Sequence, residues 1–323
     1  MAVSSPSIGT PLFYGVFFVA VLIMIAIDML SLKKNGPHKV SIKEALMWTL
    51  VWIAVSCGFG AWLYFELAGN PLFGPVVAKE KTLEFFTGYV IEKALSVDNL
   101  FVFLMIFSFF KVPAQYQHRV LLYGIFGAIV LRAVMVFLGA FLVREFSWIL
   151  YIFGAFLVYT GLHMFKPEPD EAPDLSKNKA LKWISSHLRM ADGFREEKFF
   201  VVENGIRYAT PLFLVLIMVE LSDVVFAVDS IPAIFAITTD PFIVLTSNIF
   251  AILGLRAMYF LLADMADRFH LLRYGLAIVL TFIGVKMLIA KFYHIPVGAS
   301  LSFVFLTIFL SIIVSLVATK KNV

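Results

Sequence analysis

Long apolar stretches alternate with short polar ones along almost the whole chain. Runs of spanning length fall at roughly 12–32, 44–66, 83–109, 118–142, 146–165, 210–238, 242–263, 272–292 and 297–318. Each is close to or longer than the ~20 apolar residues that cross a bilayer as a helix. The pattern predicts nine transmembrane helices in an all-α polytopic fold. The third and sixth runs exceed the needed length, which predicts tilt or a break in each. Residues 1–11 carry no Lys or Arg ahead of the first apolar run, so no cleavable signal is expected.

The polar segments orient the helices. Counting the run-end bases Arg119, Arg273 and Lys291 with the loops they adjoin, the loops after runs one, three, five and seven, with the C-terminal tail, hold 18 Lys and Arg against 4 on the other side. The positive-inside rule then places the N-terminus outside and the C-terminus in the cytoplasm. One polar segment is long, 166–209. Its Pro-rich start at 166–173 reads as a linker. Residues 177–190 read as a short amphipathic helix, with Leu181, Ile184 and Leu188 on one face. Phe199–Val202, then Asn204–Gly205, then Ile206–Tyr208 reads as a β-hairpin. Its eight bases balance eight acids, so the segment is expected to be a cytoplasmic connector, with a cap or gate as the other reading.

Composition narrows the class. Hydrophobic residues make up 61% and charged residues 15%, against about 45–50% and about 25% in soluble domains. A soluble fold is excluded, and the lipid bilayer is the first expected partner. The net charge of +4 does not indicate a nucleic-acid partner, because the bases lie on loops where the membrane rule explains them. The single Cys57 excludes an internal disulfide, a CxxC redox pair and a thiolate metal cage. No organic cofactor and no enzymatic activity are expected.

The chain repeats itself. Glu92-Lys-Ala-Leu-Ser-Val-Asp98-Asn-Leu aligns with Asp223-Val-Val-Phe-Ala-Val-Asp229-Ser-Ile. Ile125-Phe-Gly-Ala-Ile-Val-Leu-Arg132 aligns with Ile249-Phe-Ala-Ile-Leu-Gly-Leu-Arg256, and Gly161-Leu-His-Met164 with Gly284-Val-Lys-Met287. Repeat one thus covers about 83–165 and repeat two about 210–292. Three helices per repeat force opposite orientations, the inverted-repeat plan of secondary transporters, whose sites lie near the midplane where the repeats meet.

Six acids fall well inside the apolar runs, away from their ends: Asp28, Glu92, Asp98, Glu220, Asp223 and Asp229. Each costs ~2.5–3.5 kcal/mol at a helix centre on the lenient insertion scale, so they must face an interior polar site. Lys93, Arg132, Arg256 and Lys286 sit there too, leaving a deficit of two charges that one divalent cation would neutralise. A second reading has the acids pairing with Arg132, Arg256 and Lys93 to fix helix packing. Lys93 adjoins Glu92 but points elsewhere on a helix, so it is expected to answer another acid. The two acids of each repeat motif stand about 120° apart on an ideal helix. They converge only if the helix unwinds, and Pro232 supplies a reason by freeing the Val228 carbonyl. Asn99, Ser96, Ser230 and Asn248 are the supporting polar groups. Such oxygen ligands suit Mg²⁺, Ca²⁺ or Mn²⁺.

At these residues the sequence resembles the TerC family of bacterial inner-membrane proteins. Glu92 to Val102, Glu220 to Ala236 and Thr238 to Phe260 resemble its signature segments. The resemblance implies a nine-helix fold related to the lysine-exporter superfamily and export of Mn²⁺ from the cytoplasm. On energetic grounds, carboxylates that exchange the metal for protons as counter-ion, or a partner, would supply the drive. It also carries the family's label of tellurium resistance, and it assigns the metal to Glu92, Asp98, Glu220, Asp223 and Asp229, with Asp28 as a further candidate. Two alternatives belong to other classes. An intramembrane aspartyl protease would show a YD plus GxGD pattern, which is not in this chain. A membrane scaffold or sensor in metal or tellurite stress would use segment 166–209 for docking.

Overall fold

The computed structural model describes residues 7–35, 41–146, 148–165, 187–263, 272–293 and 295–321. The helices are α1 Pro11–Asn35, α2 Ile42–Gly69, α3 Gly74–Phe109, α4 Ala114–Glu145 and α5 Ile149–Met164 in the first half. After strands β1 Phe200–Glu203 and β2 Ile206–Ala209 come α6 Pro211–Phe235, α7 Pro241–Leu253, α8 Leu255–Ala263, α9 Leu272–Ile289 and α10 Val297–Lys321. Every predicted apolar run lies on a helix, the seventh on the pair α7 and α8. By length and composition, α2, α4, α6, α9 and α10 can each cross a membrane alone. Counting the bent pair α7–α8 as one span makes six.

Local chemistry sets several boundaries. Ser41 caps α2 by accepting from the Glu44 amide at 3.2 Å, a Ser-x-x-Glu start. Asp240 caps α7 by accepting from the Phe242 amide at 3.0 Å, with Pro241 at the first helical position, where its missing N–H costs nothing. The same carboxylate accepts from Ser7 Oγ at 2.8 Å and from the Ile8 amide at 2.9 Å. It thereby ties the segment before α1 to the start of α7.

The expected breaks fall elsewhere. The third and sixth runs form the unbroken helices α3 and α6. Pro232 lies in the last turn of α6, where losing one N–H does not interrupt the helix. The break is in the seventh run, at Gly254, where α7 and α8 meet at 42°.

Packing runs outward from α7, whose residues Phe242–Leu253 are all buried. A helix apolar on every side belongs in a core. One apolar cluster surrounds its first turns and includes Phe17, Phe59, Phe85, Phe242 and Phe250. A second, toward the hairpin end, includes Leu100, Phe103, Leu121, Val219 and Tyr259. Outward faces of α1, α2, α4 and α10 expose Leu22, Phe65, Phe126, Leu138 and Leu310, apolar surface that a bilayer would cover. The hairpin pairs Phe200 with Ala209 and Glu203 with Ile206. Its turn holds Asn204 at φ 51° and Gly205 at φ 76°, the left-handed conformations that an Asn-Gly turn permits. Phe199 meets Tyr123 of α4 edge to face, and Phe194 meets Tyr116 of α4 at a tilt. The expected helix at 177–190 falls mostly outside the described residues.

Candidate functional site

The seam between the two apolar clusters is charged. Arg132, brought in by α4, is 0% exposed. Its Nη2 donates to Asp223 Oδ1 at 2.9 Å and its Nε to Asp223 Oδ2 at 3.3 Å, a bidentate fork. Its Nη1 donates to the Glu92 carboxylate, to Asn248 Oδ1 at 2.9 Å and to Ser230 Oγ at 3.2 Å. Ser96 Oγ and Asn248 Nδ2 also donate to Glu92, at 3.3 and 3.4 Å. One cation therefore holds side chains from α3, α6 and α7. Buried ions lose several kcal/mol of hydration each, which is recovered only when their donors and acceptors are well partnered. Here they are.

Helical spacing explains which groups join. Glu92 and Ser96 are one turn apart on α3, and Asp223 and Ser230 two turns apart on α6, so each pair shares a face. Asp229 stands about 120° from Asp223 on the unbroken α6 and lies beside Thr160 of α5. Glu220, one turn before Asp223, lies against α4 at Gly127, where an added Cβ would collide with its carboxylate. Asn99 is buried on α3. The side chains of Asp28 and Asp98 lie outside the described residues. Glu92 and Asp223 thus meet on one arginine, while Glu220 and Asp229 face other neighbours. Among the described residues, no three His, Cys, Asp or Glu side chains converge as a metal cage.

Two of the expected bases act differently. Lys93 does not answer an acid; its Nζ donates to the Ala251 carbonyl at 3.0 Å. That carbonyl belongs to the last turn of α7, beside the break, where helical carbonyls lack partners. Gly254 leaves room for the ammonium, since a Cβ there would lie 2.6 Å from Lys93 Nζ. Its aligned position in repeat one is Val130, inside the continuous α4. The bend therefore explains why Arg256, the aligned partner of Arg132, is outside the cluster. It is buried, with Nη1 3.2 Å from His118 Nε2. A small crevice of about 20 Å³ is lined by both Arg256 and Asp223, with Gly124, Ala128, Val219 and Ile252 around them.

Sequence reasoning missed a second buried charge cluster, at the end opposite the hairpin. Lys81 Nζ lies 2.9 Å from Glu84 Oε2, and Lys286 Nζ donates to Ser300 Oγ at 2.9 Å. All four residues are buried. Glu84 sits at the edge of the third apolar run and reads as a boundary residue. Its i,i+3 spacing from Lys81 was the available signal.

Helices with lipid-facing apolar surfaces around a buried carboxylate–guanidinium cluster define a polytopic integral membrane protein. Residues 77–323 match the model of the integral membrane protein TerC family, and the chain belongs to that family. An Escherichia coli (strain K12) protein named "Putative membrane-bound redox modulator Alx" is 57% identical over 299 residues, covering 93% of this chain and 92% of its own. A protein of the same name from Photorhabdus laumondii is 53% identical over 297 residues, covering 91% of each chain. The membrane protein STKORF319 of Myxococcus xanthus is 45% identical over 316 residues, covering 98% of this chain and 95% of its own. No solved structure matches the chain.

Proposed function

We propose that this protein is a secondary transporter that exports a divalent metal ion, Mn²⁺, from the cytoplasm across the bacterial inner membrane. One observation carries the reading. Glu92 and Asp223, at aligned positions of the two sequence repeats, meet in the buried core with a single guanidinium between them. Acids meeting where two repeats join form a transporter's ion site.

Packing among the repeat helices supports the inverted-repeat reading. α3 packs on α7 as its counterpart α6 packs on α4, while α5 packs on its own counterpart α9. Exchanging the two repeats maps this set of neighbours onto itself. The positive-inside rule, applied to the basic loops, supports a cytoplasmic location for the hairpin end, the C-terminus and the crevice beside Asp223. Glu220 and Asp229, half-buried on α6, would extend the path on either side of Asp223. The ion is the substrate, and no catalytic step is needed.

Moving a divalent cation out against an inside-negative potential costs ~4.6 kcal/mol per 100 mV, from ~2.3 per elementary charge. The chain has no GxxxxGK[ST] phosphate loop, so protons exchanged at the carboxylates supply the drive. The test is flux of Mn²⁺, Mg²⁺ and Ca²⁺ through purified protein in liposomes, with and without a pH gradient. Mn²⁺ flux that follows the gradient and vanishes in E92A and D223A is expected. No flux of any of the three ions under any gradient would refute the proposal, as would normal Mn²⁺ accumulation in cells carrying D98A and D229A.

A further inference from the structure

The seat of Arg132 is built from atoms that a hard divalent cation accepts. Glu92 Oε1, both carboxylate oxygens of Asp223, Ser230 Oγ and Asn248 Oδ1 all take hydrogen bonds from the guanidinium. Carboxylate, hydroxyl and amide oxygens form the donor set for Mg²⁺, Ca²⁺ and Mn²⁺. Helix packing alone does not demand this arrangement, because apolar contacts of similar volume hold helices as well as or better than buried ion pairs.

Charge governs how the seat responds to an arriving ion. Ionised Glu92 and Asp223 with Arg132 sum to one negative charge. A divalent ion added beside the guanidinium would leave one net positive charge, with two cations crowded on the same oxygens in a medium that screens them weakly. An ion that replaces the guanidinium leaves the seat neutral. Asp223 lines the crevice and Glu92 does not, so an ion entering there meets the Asp223 carboxylate first.

Resting on the transport reading above, we propose that Arg132 is a built-in counter-cation, its guanidinium and the transported divalent ion occupying the Glu92–Asp223 seat in turn. The ion enters at Asp223 and displaces the fork, and return of Arg132 expels the ion and ties the repeats together again. The empty carrier then crosses between its two states with its acids partly neutralised and no metal bound.

The experiment measures Mn²⁺ binding to the full chain in lipid nanodiscs by calorimetry, with the Mn²⁺-dependent rise in melting temperature as a second readout. Wild type, R132Q, R132K and R132Q/D223N are compared, and Mn²⁺ flux is followed in liposomes. R132Q is expected to bind Mn²⁺ at least tenfold more tightly than wild type, with a larger melting-temperature rise and slower flux, because nothing expels the ion. R132K keeps the charge but not the fork and should fall between them. R132Q/D223N lacks a ligand and should bind no more tightly than wild type. If R132Q does not fold, R132K carries the comparison. Unchanged or weaker Mn²⁺ binding in R132Q and R132K, with wild-type flux intact, overturns the counter-cation role and leaves transport standing. Absence of both binding and flux in wild type overturns the transport reading itself, and this inference with it.

Discussion

Arg132 and Asp223 come from different sequence repeats, 91 residues apart, and meet edge to edge through two hydrogen bonds. Neither side chain is appreciably exposed. Removing one partner leaves the other charge buried without its answer, at a cost of ~3–5 kcal/mol. D223A should therefore lose about that much stability in denaturant unfolding of the purified protein. The apolar triple variant E92L/R132M/D223L should recover most of the loss while carrying no ion.

Gly127 lets Glu220 lie directly against α4. In G127A the new methyl group meets the end of a flexible side chain, which can swing aside at little cost. The fold and melting temperature should change little, while Mn²⁺ flux falls because Glu220 has moved from the path. Flux assays on G127A beside G58A separate the effect from helix propensity, since a Cβ added at Gly58 meets nothing within 4 Å.

Lys93 caps the broken end of α7 through the Ala251 carbonyl. K93M leaves that carbonyl unpaired, at a cost of about 1–3 kcal/mol. G254A brings a Cβ within 2.6 Å of the same ammonium and 3.3 Å of Trp52 Cβ. Both variants should melt at lower temperature, and together they should lose less than the sum of the two, because they disturb one contact. A double-mutant cycle reads the coupling.

The hairpin docks mainly through aromatic contacts. The Arg119–Glu197 pair is 3.4 Å long and partly exposed, so E197Q should cost less than about 1 kcal/mol. Phe199 meets Tyr123 edge to face at 5.2 Å and lies under Arg119 at 5.6 Å. F199A should loosen the hairpin and raise its cleavage in limited proteolysis, whereas E197Q should not.

Cys57 is exposed and is the only cysteine in the chain. C57S should leave folding and Mn²⁺ flux unchanged in oxidising and reducing buffer alike. Loss of flux in C57S would point instead to a role for the thiol itself.

The candidate site was partly legible in the sequence. Glu92, Asp223 and Arg132 stood out because a bilayer penalises charge wherever it lies in an apolar run. Their pairing did not, because which face of a helix meets which neighbour depends on how the bundle packs. The break was misplaced for a related reason. Pro232 looked like the weak point, but it falls in the last turn of α6. Gly254 looked like one more small residue until the fold set Lys93 beside it. Glu84 was passed over because hydropathy alone cannot separate a membrane boundary from a buried ion pair.

Hydropathy and turn chemistry by themselves determined the membrane class, the helical runs and the Asn204–Gly205 hairpin. These arise from interactions along the chain, where each residue's burial preference repeats over a single element. The tertiary structure decided that one arginine answers two acids, that its aligned twin Arg256 lies across a crevice, and that a lysine caps a broken helix. Ion pairs and hydrogen bonds act over about 3–4 Å, here between residues 40 to 158 positions apart. Only the folded bundle brings such groups within that distance.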